Sequence, residues 1–479
     1  MNLPLVFYII GWCLNIEAAF MAPAIPVSFL YHEDCRAVLF STLLCLASGV
    51  FLTFRKPANR NFTLKEGYVS AALTWIVMSL TGMLPYLFSG AISDPVSAYF
   101  ESMSGFTTTG ASILSDIEAV PHGVLFWRSM THWIGGMGVL VFLIAIIPLF
   151  GGSKMNLMKA ESPGPSVTRI LPTARETAGA LYKIYISMTV LQVLLLLAAG
   201  MPLFDSLTIT FGTAGTGGFG VLNDSCASYG TCAKIIITIF MILFSINFNV
   251  YFYMIRRKWK ECVSVEEVRW YLVIIAASTA IISFTIRNRF ASPGETLLHA
   301  VFQVASVVSS TGFSTTDFGT WPILACEVLI FLMLAGACSG STGGGFKIVR
   351  LLVLVKTLGR ELLRYIYPGS IRPIRIDGQK TSEPVIRSIY VFLGAYTMIF
   401  TASVMLISVM DHCDFLTNFT AVAATLSNIG PGLGTVGPAG NFAGFSDFSK
   451  IVLIIDMLAG RLEIFPVLLL FSPSAWKRF

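Results

Sequence analysis

Four short stretches carry the residues best suited to chemistry in this chain. Each centres on a glycine preceded by hydroxyl, amide or small residues. They are Thr108-Thr109-Gly110, Thr216-Gly217-Gly218, Ser310-Thr311-Gly312 and Asn428-Ile429-Gly430. Their types do not suggest turnover of a substrate, and the chain's five histidines are scattered without catalytic spacing. What the stretches offer is backbone. Glycine takes dihedral angles that aim successive carbonyls inward, where a β-carbon would obstruct. A ring of such carbonyls replaces the hydration shell of a monovalent cation. The chemistry is ion ligation.

The elements that position these stretches follow from composition. Of 479 residues 55% are hydrophobic and only 12% charged, against roughly a quarter charged in soluble domains. Mean hydropathy is +0.76. Many windows hold about 20 nearly uncharged residues, the length that crosses a bilayer as a helix. The expected spans are 4–31, 36–54, 68–90, 123–150, 180–203, 234–256, 268–286, 322–349, 386–410 and 448–472. The first lacks a basic leader region and a small-residue cleavage site and contains Glu17, so it reads as a retained span.

Charge placement sets the orientation. Arg55, Lys56, Arg60 and Lys65 follow the second span, and Lys154, Lys159, Arg169, Arg175 and Lys183 lie between the fourth and fifth. Arg256, Arg257, Lys258, Lys260 and Arg269 form a third cluster, Arg350 to Arg387 a fourth, and Lys477 and Arg478 close the chain. Arg36, Arg128, Lys234, Arg287, Arg289 and Lys450 fall opposite, and Arg461 within a span. The positive-inside rule makes the basic side, with both termini, cytoplasmic. The net charge of +6 is therefore a matter of sorting and of contact with anionic lipid, and no nucleic acid is expected.

Four outer segments, 92–122, 204–233, 292–321 and 411–447, are too long and apolar for simple loops. Each opens on a helix-start signal (Asp94-Pro95, Asp205, Ser292-Pro293, Asp414), runs apolar, and ends in one of the four glycine stretches. Helices this short must enter and leave on one side. Their C-terminal dipole ends then favour a cation. Gly110, Gly218, Gly312 and Gly430 recur at spacings of 108, 94 and 118 residues. The fold class expected is an all-α polytopic membrane protein. Two extra transmembrane helices precede four repeats of helix, re-entrant pore helix, glycine loop and helix around a pseudo-fourfold pore. The repeats are placed at 61–155, 176–262, 263–356 and 386–479, after a helix pair at 1–60 and with a cytoplasmic linker at 357–385.

Two anomalies suggest a gate. The span from Ile323 breaks at Ala335 into a stretch containing Gly336, Ser339, Gly340, Gly343, Gly344 and Gly345, and resumes at Phe346. Each glycine costs about 1 kcal/mol in a helix relative to alanine, so a polar loop inside the pore is expected. Arg461 stands in an apolar run, where a charge costs at least about 2.5 kcal/mol. Asp456 and Glu463 are partners within reach along the chain, at imperfect helical spacing. A positive charge facing the cavity raises a barrier to cations.

The motifs "FTTTGAS", "GTGGFG", "VSSTGFSTTD", "SNIGPGLG" and "GSTGGGFKIVR" resemble, in combination and over nearly the whole chain, the Trk/Ktr/HKT superfamily of potassium transporters, specifically its bacterial TrkH type. The resemblance implies one K+ filter built from the four loops, with Gly110, Gly218, Gly312 and Gly430 as its signature. Plant relatives with serine at the first of these positions favour Na+; Gly110 here favours K+. The fourth loop departs most from the pattern. The resemblance also implies that the 336–345 loop and Arg461 act as gate. K+ is then the cargo of a gated pore, the alternative being an obligatorily coupled K+ (or Na+) symporter with H+ on the same fold. A homodimer in the cytoplasmic (inner) membrane and a cytosolic nucleotide-binding regulatory ring of TrkA-like type are expected, with no organic cofactor and no enzymatic activity on this chain.

Other patterns carry less. Two GxGxxG matches (Gly215–Gly220 and Gly432–Gly437) follow no soluble strand, and Gly340–Lys347 breaks the P-loop spacing. His132 and His299 read as packing histidines. The nine cysteines show no metal-ligand spacing, and Cys226 with Cys232 forms either a disulfide or two free thiols.

Overall fold

The computed structural model describes residues 1–57, 64–136, 138, 174–369 and 372–476. Among them, six helices are long and apolar enough to cross a membrane: Leu3–Leu30, Arg36–Thr53, Lys65–Ser89, Ala178–Ala198, Glu266–Ile286 and Glu383–Met410. A further pair, Thr231–Phe244 and Phe248–Ile255, forms a span bent by 93°. The only regular sheet among the described residues is a two-stranded antiparallel hairpin, Arg375 opposite Lys380 and Ile376 opposite Gln379. Arg60, the 139–150 half of the fourth expected span, Lys154, Lys159, Arg169, Lys477 and Arg478 lie outside the described residues.

Polarity is distributed inside out. Phe51, Phe284, Met398 and Val409 stand on the outer surface of long helices, while Glu17, Glu101, Arg128 and Asp456 are buried. Water would oppose that arrangement, and hydrocarbon favours it. The chain is a multi-pass membrane protein.

Four short helices interrupt the long ones: Pro95–Phe106, Leu203–Gly215, Pro293–Val308 and Phe415–Leu426. Twelve residues at 1.5 Å each reach about 18 Å, well short of a bilayer. Asp94 caps the first by accepting from the Ser97 N–H at 2.8 Å, and Ser292 caps the third by accepting from Glu295 N–H at 3.2 Å. The second departs from expectation. Pro202 holds its cap position and Asp205 falls in its first turn. In the fourth, the Asp414 carboxylate takes the Thr417 hydroxyl instead of a backbone N–H.

After each glycine stretch a return helix follows: His122–Gly136, Thr231–Phe244, Ile323–Ala335 and Asp447–Arg461. Three expected spans are broken where the sequence suggested continuous or differently broken ones. The 234–256 span turns at Ser245–Asn247, where the Asn247 side chain accepts from the Asn249 N–H at 3.0 Å and starts a new helix. The 322–349 span resumes at Ile348 instead of Phe346, because Lys347 adopts a left-handed φ of 79°. The 448–472 span ends its first helix at Arg461. Glu463 and Ile464 take φ of 55° and 68°, and a proline occupies the first turn of Phe465–Leu470. Proline is well placed in the first turn of a helix, where its missing N–H costs no hydrogen bond, so Pro466 suits a new helix starting at Phe465.

Candidate ion-conducting site

Each short helix ends in the same way. Thr108, Thr216, Ser310 and Asn428 take left-handed φ of 54°, 55°, 58° and 54°. The N–H of the next residue then reaches five residues back: Thr109 to Ser104 O (2.9 Å), Gly217 to Gly212 O (2.8 Å), Thr311 to Ser306 O (2.9 Å) and Ile429 to Ala424 O (2.9 Å). This is a Schellman-type termination, in which a left-handed residue closes the last turn. It normally falls on glycine. Four non-glycine residues holding it at equivalent places mark a demanded geometry, since such conformations cost of order 1 kcal/mol or more.

One residue further on, Gly110, Gly218, Gly312 and Gly430 are left-handed again, at 80°, 78°, 87° and 94°. A β-carbon on Gly110 would strike the Gly217 carbonyl oxygen. On Gly218 it would strike that of Thr311, and on Gly312 that of Ile429. On Gly430 it would approach the carbonyl oxygens of Thr109 and Gly110 at 2.9 and 3.0 Å. The four contacts run from loop one to two, two to three, three to four and back to one, closing a ring. Among the described residues, no hydrogen bond engages the carbonyl oxygens of Thr108–Gly110, Thr216–Gly218, Ser310–Gly312 or Asn428–Gly430. Buried carbonyls are usually satisfied. Here twelve in one ring are left to meet something else.

The threonine hydroxyls beside the glycines bond within and between the loops. Thr109 Oγ1 lies 2.8 Å from Thr107 Oγ1 and accepts from Asn428 Nδ2 at 2.9 Å. Thr311 Oγ1 lies 2.7 Å from Ser309 Oγ. These hydroxyls brace the loops from behind, so the ring presents backbone. Asn428 is the departure in the fourth loop, and its amide ties that loop to the first and to the Met457 carbonyl at 2.9 Å. Around the ring, each short helix packs against the return helix of the preceding repeat, the first against Asp447–Arg461.

Below the ring lies the 336–345 loop. Gly344 N–H donates to Ser310 Oγ at 2.5 Å, and β-carbons on Gly343 and Gly344 would approach the Ser309 and Ser427 carbonyl oxygens at 2.8 and 2.5 Å. The loop docks into the break of the second bent span: Cys338 N–H to Ser245 O (3.2 Å), Thr342 Oγ1 to Phe244 O (3.1 Å) and Phe248 N–H to Gly340 O (3.1 Å). That docking explains why 234–256 cannot be one straight helix. Arg461 donates to the Thr342 carbonyl at 2.8 Å and the Gly135 carbonyl at 2.6 Å. The carboxylates suggested as its partners are engaged elsewhere. Glu463 pairs with Arg350, and Asp456 accepts from Ser403 at 2.7 Å.

This architecture has counterparts. A family model described as a cation transport protein, TrkH, matches residues 36–478. The chain belongs to the TrkH family. The Trk system potassium uptake protein TrkH of Halomonas elongata is 34% identical over the full length of both chains, and that of Salmonella typhimurium 35% over 94% of each. The crystal structure of the potassium transporter TrkH from Vibrio parahaemolyticus superposes with a TM-score of 0.87 at 30% identity, covering all of both chains. TrkH proteins are transporters, so the chain is no enzyme.

Several groups at the site carry no motif. Glu267, buried at the start of Glu266–Ile286, accepts from the N–H of Ser339 (2.6 Å) and of Val349 (3.1 Å), so one carboxylate holds both ends of the 336–345 loop. Lys347 turns its ammonium onto the Gly343 carbonyl within that loop. Glu101 and Arg128 form a fully buried ion pair. The available signal was a charge inside or beside an apolar run, the argument that singled out Arg461. His132 stacks on Phe219 and His299 on Phe290, both as packing groups. Cys226, buried, and Cys232, exposed, are free thiols.

Proposed function

We propose that this chain takes up K+ across the cytoplasmic membrane through a gated, K+-selective pore. Its filter is the ring formed by Thr108–Gly110, Thr216–Gly218, Ser310–Gly312 and Asn428–Gly430. The observation that carries this reading is that ring of adjoining loops whose carbonyls have no protein donor. Backbone carbonyls of this kind suit a monovalent cation stripped of water. Four short helices ending at the ring add their negative dipole ends. Relatives named as potassium uptake proteins make K+ the cargo of choice. The gate is the 336–345 loop with Arg461, whose cation bonded to Thr342 O holds the loop under loops three and four.

On this reading both termini face the cytoplasm, the chain works as a homodimer in contact with lipid, and the basic cytoplasmic surface meets a nucleotide-binding regulatory ring. The test is 86Rb+ uptake into proteoliposomes holding the purified chain, with competing K+ or Na+ and an imposed pH gradient. Uptake that K+ suppresses and Na+ does not, independent of the pH gradient, is the expected result. Uptake driven by the pH gradient alone would replace the pore with a coupled H+ symporter. Uptake indifferent to K+ would remove the potassium assignment.

A further inference from the structure

Three boundaries of the carbonyl ring carry hydrogen bonds from loop to loop, and they are not tied alike. Between loops four and one the ties beside the glycines are neutral, Asn428 Nδ2 to Thr109 Oγ1 (2.9 Å) and Phe442 N–H to Ser112 O (2.9 Å), and the one charged contact, Lys450 Nζ to Ser97 Oγ (3.0 Å), lies at the far end of the short helix. Between two and three they are neutral again, Cys226 N–H to Ser314 O (2.9 Å) and Ser314 N–H to Ser225 Oγ (3.2 Å). Between one and two the tie is ionic. Arg128 donates from Nε to Glu101 Oε1 (2.7 Å), from Nη2 to Ser112 Oγ (3.1 Å) and from Nη1 to the Gly220 carbonyl (2.9 Å). Glu101 in turn accepts the Ser112 hydroxyl (3.0 Å) and the Ile113 N–H (2.8 Å).

The clamp therefore grips loop one just after Gly110 and loop two just after Gly218. Its second hold on loop two is aromatic. The Arg128 guanidinium lies 3.5 Å from the centre of the Phe219 ring, and His132, one turn along the same helix, stacks on that ring at 4.0 Å. Side-chain exposure is 1% for Arg128 and 0% for Glu101. Stability alone does not account for such a pair, because replacing a buried ion pair with apolar groups is often neutral or stabilising. Its forked donors fix position, which a hydrophobic pair would not.

We propose that Glu101 and Arg128 are positioning residues for ion selectivity: they fix the spacing between the carbonyls of loops one and two, so that the ring stays open to K+ and does not close onto Na+. The proposal rests on the pore reading above. It is tested with Arg128→Lys, Glu101→Gln and the double variant Glu101→Gln/Arg128→Met in proteoliposomes. Rb+ uptake is read against K+ and Na+ competition, beside thermal unfolding in detergent. The double variant avoids an orphaned buried charge. It is expected to unfold at the parent temperature, to conduct, and to lose K+-over-Na+ preference by about tenfold, or ~1.4 kcal/mol. Arg128→Lys keeps the charge and loses the fork, so its preference should fall between the two. Parent-like preference in the double variant would overturn the proposal, as would uptake that falls with the folded fraction at unchanged preference. A parent chain without K+ preference would instead overturn the pore reading and this proposal with it.

Discussion

The ring of loops and the loop beneath it are built on opposite plans. In the ring, one backbone conformation recurs four times, with left-handed φ of 54–58° and then 78–94° in every repeat. The 336–345 loop occurs in one repeat alone among the described residues, and charged groups hold it: Glu267 at both ends, Lys347 on Gly343, Arg461 on Thr342. Fourfold repetition of neutral carbonyls suits a ligand that sits on an axis and has no direction. A single asymmetric loop held by separable charges suits a part that changes state. On the proposed pore reading, the ring is then the layer that ligates the ion and the loop beneath it the layer that releases it.

The sharpest way to break this contrast is to add one methyl group to the ring. In Gly218→Ala the new β-carbon would strike the Thr311 carbonyl oxygen, and φ of 78° adds strain of roughly 1–2 kcal/mol. Loops two and three cannot separate without opening the ring. Rb+ uptake should fall by about a hundredfold, equivalent to ~2.8 kcal/mol in the barrier, while the chain still purifies as a folded membrane protein. Alanine at Gly230, which has open space around it, is the control and should leave uptake unchanged.

The layers also differ in how far the sequence revealed them. The ring was legible because its requirement is local: left-handed backbone at a helix end, repeated four times, leaves glycines at matching places. The helix order and the break at Ala335 followed from hydropathy and glycine for the same reason. What holds the lower loop is not local. Glu267 meets Ser339 and Val349 across 72 and 82 residues, and Arg461 meets Thr342 across 119. No spacing rule reaches that far. The assignment of Arg461 to Asp456 or Glu463 therefore looked along its own helix and missed carbonyls on another. The bend at Ser245–Asn247 was hidden too, since its cause is a loop that docks there from the next repeat.

Arg461→Ala tests the releasable layer with the next largest effect. A unit charge some 10 Å from a cation at an effective dielectric of about 20 opposes it by ~1.7 kcal/mol. Removing the charge also frees the Thr342 and Gly135 carbonyls. Uptake should rise about tenfold with K+ preference unchanged. A rise accompanied by lost preference would mean that the two layers are one. Glu267→Gln is a milder version. The amide still accepts from Ser339 N–H, but a charge-assisted bond becomes a neutral one, weaker by about 1 kcal/mol. Uptake should rise about fivefold, again without change in preference.

The smallest effect belongs to the outer rim, where the repeats are tied by exposed polar groups. Asn223 donates to Asp116 at 2.9 Å and accepts from the Ile117 N–H at 2.7 Å, linking the segments that follow loops one and two. The hydrogen bond from Asn223 holds the Asp116 carboxyl below its usual range. A lowered folded value means the tie is fully present above the unfolded value near 3.9 and is lost only as pH falls through the lower folded one. Between pH 5 and 8 Asp116 stays ionised, so this contact gives uptake no pH dependence there. Asn223→Ala should change uptake by less than about twofold, because water competes for an exposed hydrogen bond, and should leave K+ preference intact. The ionic clamp at Arg128 joins the same two segments from within the protein. A loss of preference in Asn223→Ala would therefore move the fixing of loops one and two from that buried pair to the rim.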